Sequence, residues 1–436
     1  MFSYQLRLAW LSLRRNPILS LLMVGGIGLG IAVAMTFVTA YYVASGDPIP
    51  HKSDRLFYVQ LDSWNPERPW DDDDPSEPPD QLTHMDMRGI MVSDIPTYQS
   101  GMYKTYLTVH PEGEGLRPFR KEVRMCFSDF FPMFELPFRY GSGWSRDEDQ
   151  GPAPVIVLGP DMNQKLFGGE DSVGRTVRIE DREFRVVGVI EPWRPTPKYY
   201  DPHNGDFDDP EQIFMPFSWG EEMEIRTAGN TSSWGPYGDE YQDLLKSEAI
   251  WLQMWVQLDS DEQREEYEAF LTAYVMEQKN LGRFQRPLNH RLRDVMAWLE
   301  FQQVMPSEAN ALLIIALLFL LVCSVNLIGI LLGKFLGRAP EIGVRRALGA
   351  SRRWVFVQHL IECEVIGIVG GVLGLMLSIV GLELLDRVYD SQLNFRLDMN
   401  MFWVALVLAL LSAMIAGIYP AWRICRIEPG HYLKAQ

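Results

Sequence analysis

The chain has 436 residues, 40 Lys/Arg against 57 Asp/Glu, and a net charge of −17. That length allows two or three domains, and the acid excess argues against a nucleic-acid binder, which needs a basic surface. Of its four cysteines, only Cys126 lies in the large polar region, so no disulfide framework is available there and that region must fold around an ordinary hydrophobic core.

Residues 1–17 include Tyr4 to Arg15, where apolar and basic side chains alternate at helical spacing, a pattern for an amphipathic helix in the headgroup zone. Ile18 to Val43 then runs 26 residues without a charge, more than the roughly 20 needed to span a bilayer and longer than the apolar core of a signal peptide. Within this first span, Gly26 and Gly30 form a small-xxx-small pair that allows close helix approach.

Residues 44–310 form the polar block between the first and second spans. Asp71 to Asp80 is acidic and proline-rich, a composition for a solvated loop, and it lacks EF-hand spacing. Val155–Leu158 reads as a buried strand, Asp161–Phe167 as a helix closed by Gly168-Gly169, and 176–179, 184–190 and 213–217 as further strands. Residues 192–210, rich in Pro, Tyr, Asp and Trp without a period, read as a variable surface loop. Ile250 to Leu258 alternates as a strand with one buried face, and Ser260 to Gln263 is a capping box opening a helix that ends at Gly282. Leu292, Val295, Met296 and Leu299 mark one face of a helical stalk over 292–310. Strands and helices in this order predict an α+β domain.

Ala311–Gly333 is the second span, 365–386 the third and 401–421 the fourth. In the third, Gly367 and Gly371, then Gly370 and Gly374, form two overlapping GxxxG patterns. Glu362, Glu364, Glu383 and Asp386 read as boundary residues that reach water. Residues 387–400 form a short outer loop and 422–436 a basic tail.

Between spans two and three, residues 334–364 carry six Lys/Arg (Lys334, Arg338, Arg345, Arg346, Arg352 and Arg353). Together with the N-terminal 17 residues and the tail, the segment to residue 359 holds 12 bases against Glu341 and Glu428, leaving 28 bases and 55 acids elsewhere. Basic edges and an acidic ectodomain are a membrane-protein pattern, with the basic side cytoplasmic. Residues 340–353 read as two short helical pieces hinged at Gly349, with Ile342, Val344, Ala347 and Leu348 as a small apolar face. Such an element suits docking onto a soluble partner; fixing topology or binding anionic lipid is the alternative.

EIGVRRALGASRRWVFVQHLIECEVIGIVGGVLGL resembles the cytoplasmic loop and following helix of FtsX-like, or MacB-like, permeases of ABC transporters. VIVLGPDMNQKLFGGEDSVGRTVRIEDREFRVVGVIEP resembles the extracytoplasmic domain of MacB-like permeases, AWLSLRRNP the family's N-terminal elbow, and SAMIAGIYPAWRICRIEPGHYLK its ending, where a proline, here Pro420, ends the last membrane helix. The resemblance implies an α-helical membrane protein with four transmembrane helices and a large α+β domain inserted between the first and second.

It further implies that Glu341, Ile342, Val344, Arg345, Arg346, Leu348, Gly349, Ala350, Ser351 and Arg352 couple to an ABC ATPase subunit. A second permease subunit, identical or paralogous, is expected, and a periplasmic adaptor and membrane lipid are candidate partners; nucleic acid is not. The expected location is the bacterial inner membrane with both termini cytoplasmic. Family members that carry their own ATPase are longer at the N-terminus, so this chain is expected to borrow one. The sequence holds no P-loop, no H-E-x-x-H and no G-x-S-x-G, so no catalytic, cofactor or metal site is expected. The function implied is ATP-driven movement of the ectodomain for export from the periplasm or outer leaflet. The alternative is regulation of an extracytoplasmic cell-wall hydrolase.

Overall fold

The first uncharged run folds as a single 29-residue helix, α1 (Pro17–Ser45), about 44 Å long at 1.5 Å per residue and so longer than the roughly 30 Å hydrocarbon core. The computed structural model describes residues 12, 14–111, 117–304, 307–388 and 399–426. Most of the elbow helix expected over 1–17 lies outside the described residues, as do Pro306, 389–398 of the outer loop and 427–436 of the tail. The chain forms two units, residues 46–304 and residues 1–45 with 305–436.

The first of these holds strands β1 (Leu56–Leu61), β2 (Leu82–Thr83), β3 (Tyr98–His110), β4 (Phe119–Cys126), β5 (Phe138–Gly141), β6 (Val155–Leu158), β7 (Thr176–Ile179), β8 (Arg182–Ile190), β9 (Ile213–Pro216), β10 (Ile250–Gln257) and β11 (His290–Asp294). Its longer helices are α2 (His84–Ile90), α3 (Pro160–Phe167), α4 (Asp261–Asn280) and α5 (Val295–Phe301).

The 13-residue β3 organises them. Its first half pairs antiparallel with β10, and the ladder continues through β1 to β11. Its second half pairs with β4. From β4 the pairing runs through β9, β6 and β8 and returns through β7 to β3. That ring of six strands closes on itself, which removes exposed edges.

Alternation along a strand sends successive side chains to opposite faces. In β1, Phe57, Val59 and Leu61 join one core with Val123, Ile156, Val177 and Val186, while Leu56 and Tyr58 join a second with Phe130, Tyr199, Tyr200, Trp255 and Trp298. Both faces are therefore covered. All eight residues of β10 are buried, including Gln253 and Gln257, which the alternation had placed on an exposed face.

The second core explains a larger departure. Residues 192–210 are not a surface loop: Lys198, Tyr199, Tyr200 and Asp201 are at most 1 % exposed. They cover the outer face of β4 and β10, and a buried ionic cluster holds them there. Arg124 of β4, itself fully buried, donates to Asp201, to Glu211 at 2.5 Å and to Gln253 at 3.2 Å. Lys198 donates to the same Glu211 oxygen at 2.9 Å, and the Tyr200 hydroxyl donates to the other at 2.9 Å. Two bases balance two acids, which is how buried charge is tolerated. Burial by itself would raise the Glu211 carboxyl, but Arg124 and Lys198 outweigh it and hold that group well below the usual carboxylate range.

The acidic loop is solvated only in part. Asp72 to Ser76 are exposed, whereas Glu77, Pro78 and Pro79 are buried, because Glu77 accepts two bonds from Arg293 at 2.6 and 2.7 Å. The stalk expected over 292–310 is also corrected. Leu292 belongs to the strand β11, paired with Val59, and the helix that follows stops at Phe301. At the start of α4, Ser260 accepts from the Gln263 backbone as expected, while the Gln263 side chain reaches back to Asp259 rather than Ser260.

The second unit is helical: α1, α6 (Ser307–Leu336), α7 (Ala339–Ala347), α8 (Arg352–Val388) and α9 (Met399–Cys425). Four of these, all but α7, are long and apolar enough to cross a membrane. The overlapping glycine patterns of α8 face two different neighbours. Gly367 and Gly371 lie against Ala409 and Ala413 of α9, whereas Gly370 and Gly374 lie against Ile27, Gly28 and Ile31 of α1. A Cβ at Gly367 would sit 2.4 Å from that of Ala413, so the helix backbones meet where only hydrogen fits. Gly30 likewise meets Leu320 and Cys323 of α6, but Gly26 faces open space; Gly28, on another side of α1, meets Gly370 and Leu373 of α8. Pro420 is buried inside α9 and does not end it.

Candidate functional site

The polar connection between α6 and α8 is short and almost entirely helical. Only Gly337 and Arg338 separate α6 from α7. Pro340 stands in the first turn of α7, where its missing N–H costs nothing. Glu341 at the start and Arg345 and Arg346 at the end complement the helix dipole, and Glu341 accepts from Arg345 one turn on at 2.6 Å.

The hinge at Gly349 has a physical cause. Its φ is +103°, a conformation that costs a residue with a Cβ. The turn lets the Gly349 and Ala350 amides reach back to the carbonyls of Arg346 and Arg345, both at 3.1 Å, satisfying the end of α7. The Ser351 hydroxyl then accepts from the Trp354 amide at 3.2 Å and caps α8. The second helical piece is not short: it runs on without a break into the third span as the 37-residue α8.

The expected apolar face divides in two. Ile342 is 7 % exposed and packs in the core of the helical unit with Ala339, Leu331 and Phe335, so it is not free for a partner. Val344 and Leu348 are 46 % and 83 % exposed. Arg352 and Ser351 are exposed as well, Ala350 is half-buried, and Arg346 donates to the carbonyl of Cys425 at 3.2 Å. What faces outward is thus a strip of Glu341, Val344, Ala347, Leu348, Gly349, Ser351 and Arg352, with Arg345 half-buried against Glu341.

At the α6–α7 junction lies a group that the sequence had placed at water. Glu362 of α8 is 4 % exposed. One of its oxygens, Oε1, meets Lys334 Nζ at 2.6 Å and Arg338 Nη1 at 3.5 Å. Ser12 donates to that same oxygen and accepts from Arg338 at 2.7 Å. One turn before it on α8, the His359 ring packs edge-on against Phe335 at 4.5 Å. A carboxylate three residues before the uncharged stretch that begins at Val365, with bases at the end of the preceding span, was the available signal; which bases it would meet depends on helix rotation.

No group of His, Cys, Asp and Glu with metal-binding geometry occurs among the described residues. His51 and His84 bind separate acids, Glu135 and Glu221, each at 2.7 Å.

Residues 20–274 match the MacB-like periplasmic core domain, and residues 313–429 match the FtsX-like permease C-terminal domain. The chain belongs to the MacB/FtsX-like ABC transporter permease family. It is a multi-pass membrane protein with a large α/β domain between its first and second membrane helices. Similar proteins include the pyoverdine export ATP-binding/permease protein PvdT of Pseudomonas syringae pv. tomato, 28 % identical over 69 % of this chain and 40 % of that protein. The macrolide export ATP-binding/permease protein MacB of Azoarcus sp. is 24 % identical over 67 % of this chain and 39 % of its own length. The chain therefore spans about two-fifths of these relatives. Among solved structures, the periplasmic region of MacB from Actinobacillus actinomycetemcomitans aligns with 58 % of this chain and 95 % of that one, at 14 % identity and a TM-score of 0.37.

Proposed function

We propose that this permease couples ATP hydrolysis, carried out by an ABC ATPase outside these 436 residues, to movement of its ectodomain, and that it serves export from the periplasm or outer leaflet. The observation that carries this reading is the outward strip of α7. Leu348, an 83 % exposed leucine, stands beside a left-handed glycine in a loop of six bases. An exposed apolar anchor rimmed by charge is the anatomy of a docking surface, in which the anchor carries affinity and the rim sets association rate and salt dependence. The Lys/Arg excess of the loop and tail supports a cytoplasmic location for this side, and the reading includes an ectodomain across a bacterial inner membrane and a second permease subunit. Two relatives named as exporters favour export over regulation of a wall hydrolase.

The test is co-purification. Leu348→Asp should abolish recovery of the ATPase from membranes, and Arg352→Ala should weaken it modestly, more so at high salt. A loop that only binds anionic lipid predicts the reverse ranking, since each base near such a surface contributes about 1 kcal/mol. Wild-type recovery of the ATPase with Leu348→Asp would refute the docking assignment.

A further inference from the structure

We propose that Glu362 is the positioning residue of the coupling helix: its carboxylate clamps the α6–α7 junction and so sets the direction in which α7 presents Val344 and Leu348. The proposal rests on the docking role of α7 for its functional meaning, but its geometry stands on the helical unit alone.

Lys334 and Arg338 are one helical turn apart. The first lies in the last turn of α6 and the second is the N-cap of α7. Between them the chain bends at Gly337, whose amide still bonds the Gly333 carbonyl at 3.1 Å. A two-residue linker with a glycine does not by itself fix the angle between two helices. Glu362 meets the side chains on both sides of that bend through a single oxygen, and Ser12, 350 residues away in sequence, closes the same contact. Lys334 is 5 % exposed and Glu362 4 %, so their attraction is little screened by salt. The remaining hold on α7 lies along its apolar side and at its far end: Ala339, Ile342 and Gly343 are its buried residues, and Arg346 donates to the Cys425 carbonyl. Without the carboxylate, α7 keeps its apolar contacts but loses the attachment that fixes its N-terminal end.

Hydrogen exchange on the intact chain in lipid nanodiscs reads this without any partner. In Glu362→Gln, amides of residues 339–348 should exchange at least about tenfold faster than in wild type, with α6 and α8 unchanged, because local opening is set by local contacts. The double variant Lys334→Met/Glu362→Gln separates positioning from the cost of an unpaired buried base. It removes both partners, so if that cost were the whole effect, protection of α7 would return; positioning predicts that exchange stays fast. In co-purification Glu362→Gln should still recover the ATPase, with affinity lowered roughly tenfold, as expected when a binding surface loses pre-organisation. Leu348→Asp should leave the exchange of α7 at wild-type rates, so failure of the docking reading leaves a separate trace. Wild-type exchange in Glu362→Gln, acceleration spread evenly over all four spans, or protection restored in the double variant would each overturn the proposal.

Discussion

Replacing Arg124 with Met should destabilise the ectodomain severely. The arginine is fully buried and contacts Asp201, Glu211 and Gln253. Methionine keeps the apolar volume but leaves two buried carboxylates with Lys198 as their remaining base. Breaking a buried ion pair by removing one partner costs about 3–5 kcal/mol. For a domain of this size, each kcal/mol moves the melting temperature by about 2–4 °C, so a drop of roughly 6–20 °C follows. The assay is thermal unfolding of the full chain in detergent, followed by tryptophan fluorescence, because Trp193, Trp255 and Trp298 belong to the core that residues 192–210 cover. Proteolytic cleavage within 192–210 should appear in parallel. Arg120→Met on the exposed part of the same strand is the control and should cost under about 1 kcal/mol. The acid limb has a definite sign. Glu211 is held below its ordinary range, so its contribution is complete above the unfolded value of about 4.3 and is lost as pH falls through the folded one. Arg124→Met should remove much of that acid sensitivity. A variant melting within about 2 °C of the parent would refute the buried, charge-paired cluster.

Asp206 carries the opposite sign. Burial pushes its carboxyl up to about 6, with Asp208 adding to this and His203 opposing it, so its ionisation disfavours the fold once pH rises through that value. Asp206→Asn should therefore raise the melting temperature by a few degrees at pH 7.5 and leave it unchanged near pH 4; equal effects at both would contradict the assignment. Among the membrane helices, Gly370→Leu should prevent α8 from seating on Ile27 and lower recovery of folded protein in mild detergent. Gly26→Leu, facing open space, should leave it unchanged, and equal loss from both would show that α1 is rotated from the orientation described.

Four membrane helices, the strands 155–158 and 176–190 and the left-handed Gly349 were legible in the sequence because each is local. Twenty uncharged residues must satisfy their backbone within the segment, period-two alternation marks a sheet face, and a glycine between two helical pieces marks a turn. The two GxxxG patterns of α8 were legible as packing surfaces for the same reason, although a one-dimensional pattern assigns no neighbour. Assembly decided the rest. Ile342 and Leu348 are apolar residues on one short helix, and only the presence of the helical core beneath α7 buries the first and leaves the second outside. Glu362 reads as a boundary acid until the end of α6 brings Lys334 to it. Residues 192–210 have no period because their one regular element is a single 3-10 turn, Pro202–Asn204; they are held by Arg124 and Gln253, which lie far away in the chain. Partners separated by 50 or more residues, such as Gln253 and Asp201, leave no local trace, since burial and charge pairing are properties of the folded surface rather than of the segment that supplies them.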